Sequence, residues 1–330
     1  MYEEVAQTRR RSGWPAKKTL TALGIPRRTY YRWLKEEAWA RALPAESVRP
    51  VQPYEALPEE KAAVLAYARR HPELRHRELA WRMVDEDVVC LSPSTVYRIL
   101  KEADLVHPWR RRTKRRREED EKATRPNERW ATDVLQIVVG VATYFVVSFM
   151  DEYSRYVVHF ELTTGVDGVT LGTAAQAAID KLPKGDDGRP VDKPEIRSDN
   201  GSGYISKEFK VVLKENGLGH HRITPHCPEE NGLIERLHRT LREDLEGEEL
   251  TNLPEAEKVF GRVVRRYNEE RLHSALGYLA PQDYYRGHPG ERYAARRTKL
   301  SQARHRRKEK NLELQQRTLP FMEGEDVASN

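Results

Sequence analysis

A chain of 330 residues is long enough for two or more domains, each with its own hydrophobic core. Lysine and arginine outnumber aspartate and glutamate by 58 to 52, a formal net charge of +6, and the two cysteines exclude a disulfide framework. The basic residues are concentrated in two blocks, 110–117 (RRRTKRRR) and 296–310 (RRTKLSQARHRRKEK), and such blocks are attracted to polyanions. A solubilising tail would have the same composition, but nucleic acid is the favoured partner.

The first region predicts two short helices joined by a tight turn. In residues 17–37 (KKTLTALGIPRRTYYRWLKEE), Gly24 separates two helical repeats. On the second helix we expect Tyr31 and Leu34 to pack inward. A helical hairpin without DNA contacts has the same pattern, but the basic residues of the second helix favour a helix-turn-helix DNA-binding module over residues 1–42. The expected DNA contacts are Arg27, Arg28 and Arg32.

A second helical module follows a Pro-spaced linker, residues 43–57. In the segment 91–105 (LSPSTVYRILKEADL), Ser92 is a good N-cap and Pro93 suits a first helical turn. This segment predicts the last helix of a helix-turn-helix module that spans 58–107. A plain helical bundle is the alternative, but two modules in tandem favour a bipartite DNA-binding arm. The expected DNA contacts are Thr95, Arg98 and Lys101.

A basic linker, residues 108–124, connects this arm to the rest of the chain. Its lysines and arginines are expected to neutralise DNA phosphates. These residues are Arg110, Arg111, Arg112, Lys114, Arg115, Arg116 and Arg117.

Residues 125–288 predict an α/β domain. The segment 134–150 (VLQIVVGVATYFVVSFM) carries no charge, but its 17 residues are short for a membrane-spanning helix. Because it is rich in β-branched and aromatic residues and is interrupted by Gly140, it predicts two buried strands. The full pattern is β-β-β-α-β-α-β-α, a mixed sheet with helices and not a doubly wound fold. Residues 289–330 are a basic C-terminal tail, expected to be mostly disordered without DNA or a partner.

Three acidic residues of this domain are candidate catalytic residues. Asp133 lies on the first strand, Asp199 ends a later strand, and Glu235 is inside a helix. A carboxylate in the middle of a sheet is costly to bury, and a divalent cation would offset that cost. We therefore predict that all three are ligands of Mg²⁺ or Mn²⁺, with two ions in the site that activate the nucleophile and stabilise the leaving oxygen.

Each of these assignments has an alternative. The SDNG sequence around Asp199 is also a common turn, in which the aspartate would only shape a loop. Glu229 and Glu230 compete with Glu235, although both suit the N-terminal turn of the helix as partners of its dipole. Asp151, where the second strand turns into the third, is interpreted as structural.

Four further residues are candidates for supporting roles. Gly201 is expected to let backbone and substrate approach closely beside the acid. Asn200 is predicted either to support the loop or to contact DNA. Asn231 and His238 flank Glu235 at one helical turn and could position DNA or the glutamate, or belong to a solvated helix face.

The order and spacing of these residues strongly resemble the DDE transposase and retroviral-integrase superfamily, and insertion-sequence transposases of the IS3 type in particular. The matching motifs are WATD (130–133), SDNG (198–201), ENGLIER (230–236) and YNEERLHSALGYLAPQDYY (267–285). The 35 residues between Asp199 and Glu235 (200–234) are the spacing of that superfamily. The resemblance covers about residues 125–287 and implies an RNase H-like catalytic core with metal-dependent phosphoryl transfer.

The resemblance implies a DNA transposase that recognises the terminal inverted repeats of its own mobile element. It would free a 3′ end and join that end to target DNA, as a dimer or higher oligomer on DNA. DNA contacts are expected for Arg242, seven residues after Glu235, and for Arg271. We expect a cytoplasmic, nucleoid-associated protein with no membrane partner. The alternative is a catalytically inactive DNA-binding regulator or domesticated derivative of such an element.

Overall fold

The computed structural model describes residues 2–42, 52–106, 122–186, 188–224 and 227–318. It divides the chain into two compact units, Met1–Glu55 with Arg307–Asn330, and Ala56–Arg306. Within the described ranges, no helix is both long enough and apolar enough to cross a membrane.

The first unit begins with three helices, which are α1 (Tyr2–Ser12), α2 (Ala16–Ala22) and α3 (Arg27–Ala42). Gly24, between α2 and α3, has a φ of +66°, in the left-handed region that favours glycine, so the predicted turn is present. The predicted inward face of α3 is wrong at one position. Tyr30 is 4% exposed and Tyr31 is 52% exposed, because α1 and α2 cover the face on which Tyr30 and Leu34 lie four residues apart.

The second unit begins with another three helices, which are α4 (Pro58–Arg70), α5 (His76–Asp85) and α6 (Pro93–Glu102). Ser92 caps α6 by accepting a hydrogen bond from the backbone N–H of Thr95, as its position before Pro93 predicts. The three helices share one core, to which Val64, Met83 and Val96 each contribute a fully buried side chain.

A five-stranded mixed sheet follows these helices. Its strands are β1 (Arg129–Val139), β2 (Ala142–Asp151), β3 (Val157–Thr163), β4 (Glu195–Ser198) and β5 (His220–Arg222). The order across the sheet is β3-β2-β1-β4-β5. The first three strands are antiparallel, whereas β4 is parallel to β1 and β5 is parallel to β4. The strand β1 therefore lies at the centre, with neighbours on both sides.

Helices cover both faces of this sheet. They are α7 (Gly168–Ile179), α8 (Ser202–Ile205), α9 (Lys207–Glu215), α10 (Gly232–Leu245) and α11 (Leu253–Glu269). Trp130 of β1 packs in one cluster with Leu171 and Phe209, and the next residue, Ala131, packs in another with Leu237. Burial on both faces accounts for the uncharged residues 146–150, whereas Val138 near the end of β1 is 63% exposed and Val141 in the turn to β2 is 106% exposed. The α/β class with an RNase H-like mixed-sheet core, preceded by all-α modules, is confirmed.

The chain continues through α12 (Pro281–Tyr285) into the long helix α13 (Pro289–Thr318). The expectation of a disordered basic tail is therefore wrong for this segment. Arg296 is 3% exposed, and its guanidinium donates two hydrogen bonds to Asp85, at 2.8 and 2.6 Å. Composition alone could not reveal this order, because the acidic partner lies far away in the sequence. Residues 319–330 lie outside the described part of the chain.

A largely buried histidine on β3, His159, makes the stability of the fold sensitive to acid. Burial and the Lys181 ammonium lower the pKa of His159 from 6.5 to about 4, and they outweigh the Glu161 carboxylate at 3.5 Å. Between these two pH values the unfolded chain binds a proton that the folded chain does not, so stability falls as the pH drops.

We predict that His159→Phe reduces this loss. The free energy of unfolding of the wild type should fall more between pH 7.5 and pH 5 than that of the variant, by about 1–2 kcal/mol. Urea unfolding at both pH values measures the difference. The exchange His288→Phe, at an exposed position, is the control. Equal pH dependence in wild type and His159→Phe would contradict the prediction.

Candidate active site

The register of two parallel strands brings two of the predicted acids together. Ala131 of β1 is paired with Arg197 of β4. Two residues further along the chain lie Asp133 and Asp199, on the same side of each strand as the paired residues. Since the strands are parallel and adjacent, both carboxylates are expected at one end of this strand pair, and both indeed line one cavity of about 270 Å³.

Two glycines shape the wall of this cavity. The amide of Gly201 donates to Oδ1 of Asp199 at 2.9 Å, and a Cβ at Gly201 would lie 3.0 Å from the same oxygen. A Cβ at Gly203 would collide with the carbonyl oxygen of Val166. The loop after β4 is therefore closely packed around Asp199, and close approach of substrate at Gly201 stays a prediction.

The third predicted acid, Glu235, lies on the exposed side of α10. Burial, followed by the charges of Asp199 and Glu235, raises the pKa of Asp133 from 3.8 to about 6, against the opposing effects of the Val134 backbone N–H and Arg242. The three acids therefore share one electrostatic environment, although Glu235 is not among the residues that line the cavity. Within the described ranges, no three His, Cys, Asp or Glu side chains are arranged to hold a metal ion.

The predicted supporting residues lie close to these acids. Nδ1 of His238 is 3.5 Å from Oδ2 of Asp133, and burial followed by the charge of Arg242 lowers the pKa of this histidine to about 4. His238 is therefore neutral near pH 7. Asn200 donates from its amide to the carbonyl oxygen of Ile223 at 2.9 Å, which is a loop-supporting contact.

Two other residues of the sequence analysis have contacts that explain their positions. Asp151 is fully buried and accepts hydrogen bonds from the backbone N–H groups of Asn127 and Ser154, both at 2.8 Å, in accord with a structural role. Asn231 ends the 3₁₀ turn Pro228–Asn231 that leads into α10, and its side chain is 5% exposed.

The predicted DNA contacts are distributed over several elements. Most of the described ones are exposed, namely Arg27, Arg28 and Arg32 on α3, Arg98 and Lys101 on α6, and Arg242 on α10. Arg98 donates to the hydroxyl of Thr95 at 3.3 Å. Arg271 forms an ion pair with Asp244 at 3.5 Å. The block from Arg110 to Arg117 lies outside the described residues. DNA binding by all of these residues stays a prediction.

Sequence reasoning missed three buried residues beside the acids. The hydroxyl of Tyr204 is 3.0 Å from that of Thr132, and both side chains are buried next to Asp133 and Asp199. Arg197 is 5% exposed and lies two residues before Asp199. A charged residue within a short, mostly buried strand indicates that Arg197 has buried partners. The sequence does not reveal those partners, because they lie far away along the chain.

Two family models described as Integrase core domain match this chain, one over residues 123–228 and the other over residues 216–281. An uncharacterized 39.2 kDa protein of insertion element IS476 from Xanthomonas euvesicatoria is 26% identical over 220 residues, which are 63% of this chain and 61% of that protein. A 31.7 kDa protein of insertion element IS407 from Burkholderia multivorans is 28% identical over 73% of this chain and 87% of its own length.

Two solved structures have folds similar to part of this chain. One is from a simian T-cell lymphotropic virus intasome, with a TM-score of 0.44 and 16% identity over 68% of this chain and 74% of that chain. The other is the HTLV-2 integrase catalytic core domain in complex with magnesium, with a TM-score of 0.39 and 19% identity. The similarity covers 50% of this chain and 99% of that chain.

Similarity to a protein from Escherichia coli establishes the family to which this chain belongs. The InsD protein of insertion element IS2E, named as a transposase, is 30% identical over 172 residues, which are 48% of this chain and 74% of that protein. The integrase core models together cover the domain that contains Asp133, Asp199 and Glu235. The chain belongs to the DDE transposase and integrase superfamily.

Proposed function

We propose that this protein is a DNA transposase that binds the terminal inverted repeats of a mobile element, cleaves a 3′ end and transfers it into target DNA. The observation that carries this proposal is the parallel pairing of β1 with β4, which places Asp133 and Asp199 in one cavity within the electrostatic range of Glu235. The insertion elements named in the relatives support the same activity.

The three acids are proposed to bind Mg²⁺ or Mn²⁺, two ions in each active site. The donor set fits, because hard divalent cations prefer carboxylate oxygens. The raised pKa of Asp133 also fits, since burial, followed by the charges of Asp199 and Glu235, disfavours its ionised form and a bound cation would favour it. When bound, such ions supply activation of a water or 3′-hydroxyl and charge neutralisation at the leaving oxygen.

The residues around the acids are proposed to orient them and the DNA. The neutral imidazole of His238 restrains the Asp133 carboxylate from the α10 side. Gly201 and Asn200 fix the loop that carries Asp199. Arg242 is exposed near Asp133 and would contact the DNA phosphates beside the scissile bond. We propose that these contacts orient the acids before DNA binds. This pre-orientation lowers the free-energy cost of reaching the reactive geometry.

DNA binding is proposed to involve the helical modules and the basic block. The exposed arginines of α3 and α6 suit contacts with the ends of the element, and the block 110–117 suits neutralisation of phosphates. Because two ends must be joined in one event, we propose a dimer or higher oligomer on DNA. Binding of the end should weaken steeply as the salt concentration rises.

Removal of any one acid should abolish the chemistry. We predict that Asp133→Asn, Asp199→Asn and Glu235→Gln each lower the rate of Mg²⁺-dependent nicking at the element end by roughly a hundredfold or more. A labelled duplex that carries the inverted repeat beside the coding region is the substrate. Glu243→Gln, an exposed change further along α10, is the control. If the wild type binds this duplex but never cuts it with Mg²⁺ or Mn²⁺, an inactive DNA-binding regulator becomes the better description.

The same electrostatics predict that one of these variants is more stable than the wild type without metal. The unfolded Asp133 carboxyl ionises near pH 3.8 and the folded one near pH 6, so wild-type stability is lost as the pH rises through this window. At pH 7.5 the free energy of unfolding of Asp133→Asn should therefore exceed that of the wild type by about 1–3 kcal/mol.

This difference should shrink towards pH 4, and Mg²⁺ should stabilise the wild type more than the variant. Urea unfolding with and without Mg²⁺ measures both effects. The exchange Asp104→Asn on an exposed turn controls for the loss of a carboxylate elsewhere. A variant that is less stable than the wild type at pH 7.5 would contradict the prediction.

A further inference from the structure

A buried arginine on β4 connects the strand that carries Asp199 with the turn that precedes α10. Arg197 is 5% exposed, and its Nε lies 3.5 Å from the carboxylate of Glu152, which is 6% exposed. Its Nη1 donates a hydrogen bond to the backbone carbonyl oxygen of Glu230 at 3.3 Å. The guanidinium thus contacts both the end of the sheet and the 3₁₀ turn Pro228–Asn231.

A lone buried guanidinium would be strongly destabilising, so this position requires partners. Glu152 supplies the opposite charge and also lies 3.8 Å from Arg129, which in turn pairs with Glu195 at 3.0 Å. These ion pairs join β1, β4 and the residue that follows β2. The planar, multidentate guanidinium of Arg197 can satisfy this network and the Glu230 carbonyl together, which a lysine ammonium could not do as well.

The segment between β5 and α10 is attached to β4 at both of its ends. At the first end, the backbone N–H of Ile223 donates to the carbonyl oxygen of Ser198 at 3.0 Å. At the other end, Arg197 contacts Glu230, whose carboxylate accepts from the backbone N–H of Thr224 at 2.9 Å. Since α10 starts at Gly232, the Arg197 contact lies immediately before the helix that carries Glu235.

We propose that Arg197 is a positioning residue for the third acid. Its hydrogen bond to Glu230 fixes where α10 begins, and so fixes the approach of Glu235 to Asp133 and Asp199. The strand that carries Asp199 thereby also sets the position of Glu235. This inference rests on the proposed role of the three acids as metal ligands, but its structural part can be measured without metal or DNA.

The test compares Arg197→Met with Arg296→Met, which removes a second buried arginine. Arg296 has a similarly buried side chain and an ion pair with Asp85, but it contacts the backbone at residues 277 and 278 and not the α10 turn. Amide hydrogen exchange of residues 229–236 is measured in the full-length, metal-free protein. We expect exchange there to be faster by about tenfold or more in Arg197→Met, and to be unchanged in Arg296→Met.

The second readout is the affinity for Mn²⁺ in the absence of DNA, measured by electron paramagnetic resonance. Arg197→Met should weaken Mn²⁺ binding by about tenfold, because the ion must then also order Glu235. Arg197→Lys should restore part of the affinity. A substitution that only loosens the packing and leaves Glu235 in place would not change the affinity for Mn²⁺. The lysine variant also retains the ion pair with Glu152 if the methionine variant does not fold.

Faster exchange confined to residues 229–236, together with weaker Mn²⁺ binding, supports the proposal. Unchanged exchange in Arg197→Met, or an equal increase in Arg296→Met, would overturn it. A failure of the wild type to cut DNA would contradict the proposed function instead, and the exchange result would still stand, so the two failures are distinguishable.

Discussion

The parallel backbone pairing of β1 with β4 is the constraint on which the candidate site depends. It involves three residue pairs, Arg129–Ala131 with Glu195–Arg197, and both aspartates follow it two residues later. Backbone hydrogen bonds therefore hold Asp133 beside Asp199 against their mutual repulsion. A shift of one strand by one residue would turn its acid to the opposite face of the sheet. The helices on both faces and the antiparallel β2 keep β1 central and stabilise this register.

The fold thus holds together charges that would otherwise separate. Burial and the neighbouring acids raise the pKa of Asp133 to about 6, so the metal-free fold is destabilised at neutral pH. The groups around these acids orient them but leave much of the negative charge of the carboxylates unneutralised. His238 lies at Asp133, Gly201 donates to Asp199, and Arg197 contacts the turn before α10. Such a site is expected to gain stability when it binds cations, which is the behaviour of a functional centre and not of a structural ion pair.

Much of this arrangement follows from local sequence patterns, and the rest depends on contacts between distant residues. The charge-free segment 134–150 predicted two buried strands; both strands are present, but only residues 146–150 are continuously buried, and the turn at Val141 is exposed. The inward face of α3 was misjudged at Tyr31, since the direction of the core depends on α1 and α2. Likewise, composition predicted a disordered tail where α13 is ordered by the pairing of Arg296 with Asp85. The role inferred for Arg197 required the position of the Glu230 carbonyl, which no sequence pattern indicates.

The central claim is that Asp133, Asp199 and Glu235 together bind divalent metal ions. Its most direct test is a crystal structure of the full chain with Mn²⁺, with data collected at the manganese absorption edge. The account predicts anomalous peaks in the cavity between Asp133 and Asp199, at about 2.0–2.2 Å from carboxylate oxygens, with the side chain of Glu235 turned towards them. Manganese bound only elsewhere on the surface, with the cavity empty at saturating concentration, would contradict it.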